Sequence, residues 1–191
     1  NIASDLHDDI GSTLNSISIF SEVAKQQSKE DIPALEEIGI SSRKVIDAMS
    51  DIVWTINPEN DSFEKIIQRM RSFAYQLLKA KGIEMVFKTD ESLNSISLPM
   101  LVRKNFYLIF KEATNNIVKY SCAGRALFQL SYSNREIRME IRDNGKGFDT
   151  NAESRGNGIK NMQRRANEIE GQLNIISAIN QGTGIELILK L

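Results

Sequence analysis

The chain has 191 residues, 41% of them hydrophobic, which is enough for one medium domain or two small ones with a real core. Its 24 basic and 25 acidic residues give a formal net charge of −1, which argues against a nucleic-acid binder held by phosphate electrostatics. A single cysteine, Cys122, excludes an internal disulfide framework and fits a reducing compartment, and no apolar run approaches the roughly 20 residues that span a bilayer.

Apolar spacing predicts a first helix from Ala3 onward. Ala3, Leu6, Ile10, Thr13, Ile17, Phe20 and Ala24 alternate steps of three and four, the seam of a packed helix with a polar slot at Thr13. A polar stretch, Gln26–Asp31, follows, and Pro33 suits the first turn of a second helix. That helix carries its own seam: Leu35, Ile38, Ser42, Val45, Met49, Ile52 and Ile56. Two helices with a short connection make an antiparallel hairpin, and about 55 residues are too few to bury both seams. Pairing with a second copy makes a four-helix bundle, so the spacing predicts a homodimer.

Asn57-Pro58 ends the second helix, because proline disfavours helical geometry in the residue before it. Asp61 with Glu64 reads as a capping box opening a third helix, whose broad apolar face includes Phe63, Ile66, Ile67, Met70, Phe73, Ala74, Leu77 and Leu78 and which stops at Gly82. Beyond it, Ile83–Lys88, Ala126–Ser133, Ile137–Asp143, Gln172–Ser177 and Ile185–Leu191 read as strands, with helices at about 100–121 and 158–170 between them. The class is α+β: a long helical hairpin, residues 1–60, followed by an α/β sandwich, residues 61–191. The helical pattern already running at Asn1, without Met, suggests a piece of a longer protein. This fragment reads as cytoplasmic, with any membrane attachment through segments outside it.

Residues with chemical potential fall in five places. His7 is the only histidine and is followed by Asp8 and Asp9. An imidazole is nucleophilic near neutral pH, and a neighbouring carboxylate can take the proton of its second ring nitrogen. A lone exposed histidine on a helix is the commoner meaning of such a residue. With one histidine and one remote cysteine, His7 is a poor metal ligand. Further on, Glu112 and Asn116 are four apart in a helix, as are Asn115 and Lys119, with Tyr120 next. A carboxylate, carboxamides and an ammonium together suit Mg²⁺ and phosphate, although a polar helix face reads the same way. Asp143-Asn144-Gly145-Lys146-Gly147 follows a strand, so a ligand can approach its backbone closely, as it can in any glycine-rich turn. Gly156-Asn157-Gly158-Ile159 leads into a helix, whose N-terminus favours anions. Gly182-Thr183-Gly184 stands before the last strand, where a hairpin turn is an equal reading.

Asp5-Leu6-His7-Asp8-Asp9-Ile10-Gly11 resembles the histidine box of two-component sensor kinases, closest to the subgroup with Asp after the histidine, as in nitrate-sensor and desaturase-thermosensor kinases. The later segments, in order, resemble the N box, the two glycine boxes and the terminal G-T-G of the ATP-binding domain shared by histidine kinases, Hsp90-type chaperones, gyrase B and MutL-type proteins. The resemblance covers nearly the whole chain. It implies ATP-dependent phosphorylation of His7 with Asp8 as base, then transfer to an aspartate on a response regulator receiver domain. It implies Mg²⁺ held by Asn116, phosphate contacted by Lys119 and the adenine amine bound by Asp143. Glu112, Asn115, Tyr120, Ile159 and Thr183 join the nucleotide site, Gly145, Gly147, Gly156 and Gly158 shape it, and Asp149–Arg155 forms a mobile lid, with Asn57–Asp61 as a hinge. Ser12 stands where many members have a glutamine that positions a dephosphorylating water, and Tyr120 where many of the subgroup have histidine. The competing readings are a same-fold ATPase, a dimeric adaptor without catalysis, and a kinase of Ser or Thr on the same fold.

Overall fold

The computed structural model describes residues 2–28, 32–150 and 157–191. The chain divides into two compact units, Asn1–Asn60 and Asp61–Leu191. The near-neutral total averages two unlike parts. Residues 1–60 carry four Lys or Arg and eleven Asp or Glu, a net −7, whereas residues 61–191 carry twenty and fourteen, a net +6.

The first unit is an antiparallel pair of helices, α1 (Ile2–Gln27) and α2 (Pro33–Ile56). Pro33 sits in the first turn of α2, where its missing N–H is no loss. Small residues let the helices approach closely: Ser18, Ser21 and Ser42 are buried, and a Cβ added at Gly39 would lie 2.9 Å from Ser21 Oγ. Arg43 Nη1 donates to Ser18 Oγ at 3.0 Å, and Lys25 pairs with Glu36 at 3.1 Å near the connection. The larger apolar side chains face elsewhere. Phe20 is 69% exposed and Ile17 41% on α1, while Ile38, Val45 and Ile52, seven residues apart, are exposed on α2. On α1 the seam members Ile10, Thr13, Ile17 and Phe20 are exposed and the neighbouring positions Ser18 and Ser21 are buried instead; on α2 the seam is split, with Ser42 buried and Ile38, Val45 and Ile52 exposed within the chain.

The second unit begins with α3 (Phe63–Ala80). Its N-cap is Ser62, whose Oγ accepts from Lys65 N at 3.4 Å, one residue later than the capping box predicted at Asp61. Asp61 is engaged otherwise: it forms an ion pair with Arg103, whose side chain is buried. The elements that follow are β1 (Glu84–Thr89), α4 (Met100–Asn116), a π-helical turn (Ile117–Ser121), β2 (Arg125–Ser133), β3 (Glu136–Asp143), α5 (Asn157–Glu168), β4 (Gln172–Ser177) and β5 (Thr183–Lys190). The strands form one sheet in the order β1-β2-β3-β5-β4. β1 and β2 are parallel, joined through α4; the other pairs are antiparallel.

Period-two alternation sends one face of this sheet to the core. Phe128 and Leu130 on β2, Ile137, Met139 and Ile141 on β3, and Leu187 and Leu189 on β5 are all buried, together with Phe63, Ile66, Met70 and Leu78 of α3 and Phe106, Ile109 and Phe110 of α4. Aromatic rings tie the layers: Phe63 to Phe106 at 5.5 Å and Phe110 to Phe128 at 5.3 Å between centroids. The alternate positions carry ion pairs such as Arg138–Glu186 at 2.7 Å and Arg142–Glu140 at 3.1 Å. This is the α/β sandwich that the sequence predicts. Among the described residues, no helix is long and apolar enough to cross a membrane.

Candidate functional site

In the second unit, the end of α4, the loop after β3, the first turn of α5 and the start of β5 enclose a cleft of about 540 Å³. α4 buries Phe106, Ile109, Phe110 and Ala113 against the sheet, which leaves Glu112 and Asn116, four apart, together on the cleft wall. The helix then widens into the π-helical turn at Ile117–Ser121 and ends at Cys122 with φ 55°. Such a wide turn is rare and is frequently found at functional sites. Here it carries Tyr120, 63% exposed, to the cleft rim and turns the Ser121 carbonyl toward the loop after β3.

That loop is wedged between two backbones. Lys146 N donates to Ser121 O at 2.8 Å, and Lys146 O accepts from Asn180 N at 2.6 Å. Asn144 Oδ1 accepts from Gly124 N and Arg125 N at 3.1 and 2.9 Å. A Cβ at Gly145 would collide with the Ser121 carbonyl oxygen, and one at Gly147, whose φ is +57°, with the Ala178 carbonyl oxygen. The glycines are thus required first by the protein's own backbone packing. Gly158 differs: a Cβ there would meet the Glu112 carboxylate, the end of a side chain that can swing aside, rather than backbone.

Asp143 ends β3, paired with Thr183 of β5, and lines the cleft with it. Burial pushes its carboxyl above the usual value, while donated N–H groups from Gly145, at 2.8 Å, and Thr183 oppose that rise. Ser177 holds the far side, donating to Gly182 O at 3.0 Å, lying 3.0 Å from Thr183 Oγ1 and accepting from Phe148 N at 2.9 Å.

Of the residues singled out from sequence, Glu112, Asn116, Tyr120, Asp143, Gly147, Gly158, Ile159 and Thr183 meet in this cleft. Gly145 is buried just behind it; Asn115 and Lys119 do not line it, and Lys119 is exposed on the π-helical turn. Gly156 and most of the lid segment lie outside the described residues, as do the side chains of His7, Asp8 and Ser12, whose backbone belongs to α1. Lys146, Phe148, Asn157 and the apolar floor of Met162, Ile175 and Ile185 also line the cleft without having been singled out. Lys146 stood in plain view between the two glycines; the floor residues read only as core periodicity.

Residues 102–191 match the family model described as "Histidine kinase-, DNA gyrase B-, and HSP90-like ATPase", and residues 1–61 match one described as "Histidine kinase". By these two matches the chain belongs to the histidine kinases. It is 25% identical over 190 residues to the sensor protein VraS of Staphylococcus epidermidis and 24% identical to that of Staphylococcus aureus, with 97% of this chain covered in each. The chain spans 53% of the length of these relatives. The histidine kinase domain of the Erythrobacter litoralis blue-light activated histidine kinase has the same fold, with a TM-score of 0.62 at 14% identity, covering 99% of this chain and 94% of that one. Full-length ShkA in complex with AMPPNP gives a TM-score of 0.64 at 16% identity, covering 98% of this chain and 45% of that one. In this family setting, the acid-and-amide pair Glu112 and Asn116 and the acid at the end of β3 are among the polar groups that line the cleft from separated segments.

Proposed function

We propose that this chain is the catalytic core of a two-component sensor histidine kinase, which phosphorylates His7 from ATP and passes the phosphoryl group to an aspartate of a response regulator receiver domain. The observation that carries this reading is the convergence of Glu112, Asn116, Asp143, Gly158 and Thr183 on one cleft of a histidine kinase-type ATPase fold. Asp143, with two backbone donors already on its carboxyl, keeps acceptor capacity for an exocyclic amine such as that of adenine. The first turn of α5 borders the cleft through Asn157, Gly158 and Ile159, so its N–H groups and dipole favour phosphate at that end.

Among the described residues, no three acids, histidines or cysteines group into a complete metal cage. Mg²⁺ is commonly held by one or two protein oxygens together with substrate phosphates. Glu112 and Asn116 supply such oxygens, and the cation would supply neutralisation of the phosphate charge. In the transfer, a ring nitrogen of His7 bonds to the γ-phosphorus as the bond to the β–γ bridging oxygen breaks and ADP leaves; Asp8 accepts the proton of the other ring nitrogen. The receiver carboxylate then takes the phosphoryl group, Asp8 returns its proton to the ring, and His7 regains its neutral form. Most of the rate comes from positioning and charge neutralisation.

The uncovered apolar stripes of α1 and α2 support a homodimer built through the hairpin, a four-helix bundle. Residues 1–60 serve in this reading as the dimerisation and phosphotransfer domain, and residues 61–191 as the ATP-binding domain. The decisive experiment is His7→Ala in the presence of γ-labelled ATP: label on the protein is lost, and nucleotide affinity is unchanged. Acid-labile protein phosphate persisting in His7→Ala would overturn the assignment. A same-fold ATPase without phosphotransfer would release inorganic phosphate with no label on wild-type protein.

A further inference from the structure

Three carboxylates line the cleft, from Glu112, Asp143 and Asp149, and Lys146 is the only basic residue among the described residues that do so. A nucleoside triphosphate brings a charge that one divalent cation does not fully offset, so such a site calls for a protein cation. Lys119, on the π-helical turn that follows α4, is exposed and does not line the cleft.

The backbone of Lys146 is held from both sides, by Ser121 O at 2.8 Å and Asn180 N at 2.6 Å. Its neighbours are glycines because any side chain there would strike the Ser121 or Ala178 carbonyl. The result is a fixed stem carrying a mobile four-carbon arm, and among the described residues its ammonium has no hydrogen bond or ion pair with the protein. A cation tethered at a cleft by a fixed backbone and left without a protein partner is available to an anionic ligand.

We propose that Lys146 is a nucleotide-binding residue whose ammonium pairs with the phosphate chain of ATP. The proposal rests on the nucleotide reading of the cleft and adds to it the charge that the α4 segment does not bring to its wall. The test uses the full chain with Mg²⁺ and ATP in calorimetric titrations at several ionic strengths, comparing wild type with Lys146→Gln and Lys146→Arg. Lys146→Gln is expected to weaken ATP binding about tenfold, and the loss of affinity with rising salt becomes shallower. Lys146→Arg restores affinity to within about threefold of wild type, and the unfolding midpoint stays put in both variants, as expected when the loop is held through backbone atoms. Equal ATP affinity in wild type and Lys146→Gln overturns the proposal. So does an unchanged salt dependence, or an arginine variant as weak as the glutamine one. Failure of the wild-type chain to bind ATP at all would instead overturn the nucleotide reading itself, which keeps the two failures apart.

Discussion

The helical hairpin and the sheet-based unit solve the burial problem in opposite ways. Residues 61–191 close aromatic side chains completely: Phe63, Phe106 and Phe110 are 0% exposed and sit between three helices and a five-stranded sheet. Residues 1–60 place serines and a glycine between their two helices and leave Phe20, Val45 and Ile38 outside. A surface of that kind, repeated every seven residues along α2, is the pattern of a helix that packs on a further helix. The lesson is that the second unit buries its own aromatic core, whereas the first leaves large apolar side chains uncovered within the chain.

That contrast can be broken in measurable ways. The largest effect is expected from Phe106→Ala, which opens a cavity in the sealed core; it should cost about 3–5 kcal/mol and lower the unfolding midpoint of residues 61–191. An exposed counterpart, Phe20→Ala, should leave that transition untouched. If both variants shift it equally, the two units do not differ as described. Next comes Val45→Asp, which sets a charge on the uncovered α2 stripe. Sedimentation should show the wild-type dimer and a variant that dissociates, with the second unit still folded and binding nucleotide. A variant that stays dimeric would mean that the stripe is not the contact.

Gly145→Ala sharpens the comparison inside the second unit. The added methyl meets the Ser121 carbonyl and forces the loop away from the π-helical turn, at about 1–3 kcal/mol. Nucleotide affinity should fall with it, and thermal unfolding together with titration of ATP reads both. The smallest effect is the pH dependence that Asp143 brings. Burial raises its folded-state value above that of the unfolded chain, so the folded state retains this proton to higher pH. Its contribution to stability is therefore largest at low pH and is lost as pH rises from the ordinary carboxylate value through the raised one. Nucleotide affinity runs the other way, since the adenine contact needs the ionised acceptor. Acidification should weaken ATP binding at a pH above that of an ordinary aspartate, and Asp143→Asn, weaker throughout, should flatten that part of the profile. An identical acid limb in both proteins would rule Asp143 out as its source.

Much of the site was legible because its chemistry is local in sequence. Glu112 and Asn116 fall on one face by helical spacing alone, and Asp143 with its flanking glycines marks the end of a strand whose alternation is plain. Other features depended on distant partners. The cap of α3 moved from Asp61 to Ser62 because Asp61 meets Arg103, 42 residues away, and no local pattern announces that pair. Lys119 and Asn115 share a helical face with each other, yet the phase of α4, fixed by Phe106, Ile109 and Phe110 against the sheet, turns Glu112 and Asn116 to the cleft. The widening of α4 into a π-helical turn, which sets where Tyr120 and Ser121 fall, also left no signature in spacing.

Sequence by itself determined the two halves, the hairpin, the strands and the chemical character of each motif, because periodicity and residue type report on local geometry and on which face must be buried. Tertiary structure decided which of those residues share a cleft. It also showed that Gly145 and Gly147 serve the protein's own backbone contacts, and that Lys146 is the described cation at the cleft wall. The reason is physical: a binding site is a meeting of segments far apart in the chain, and the close approach that excludes a Cβ at Gly145 or Gly147 exists only after the sheet and helices have packed.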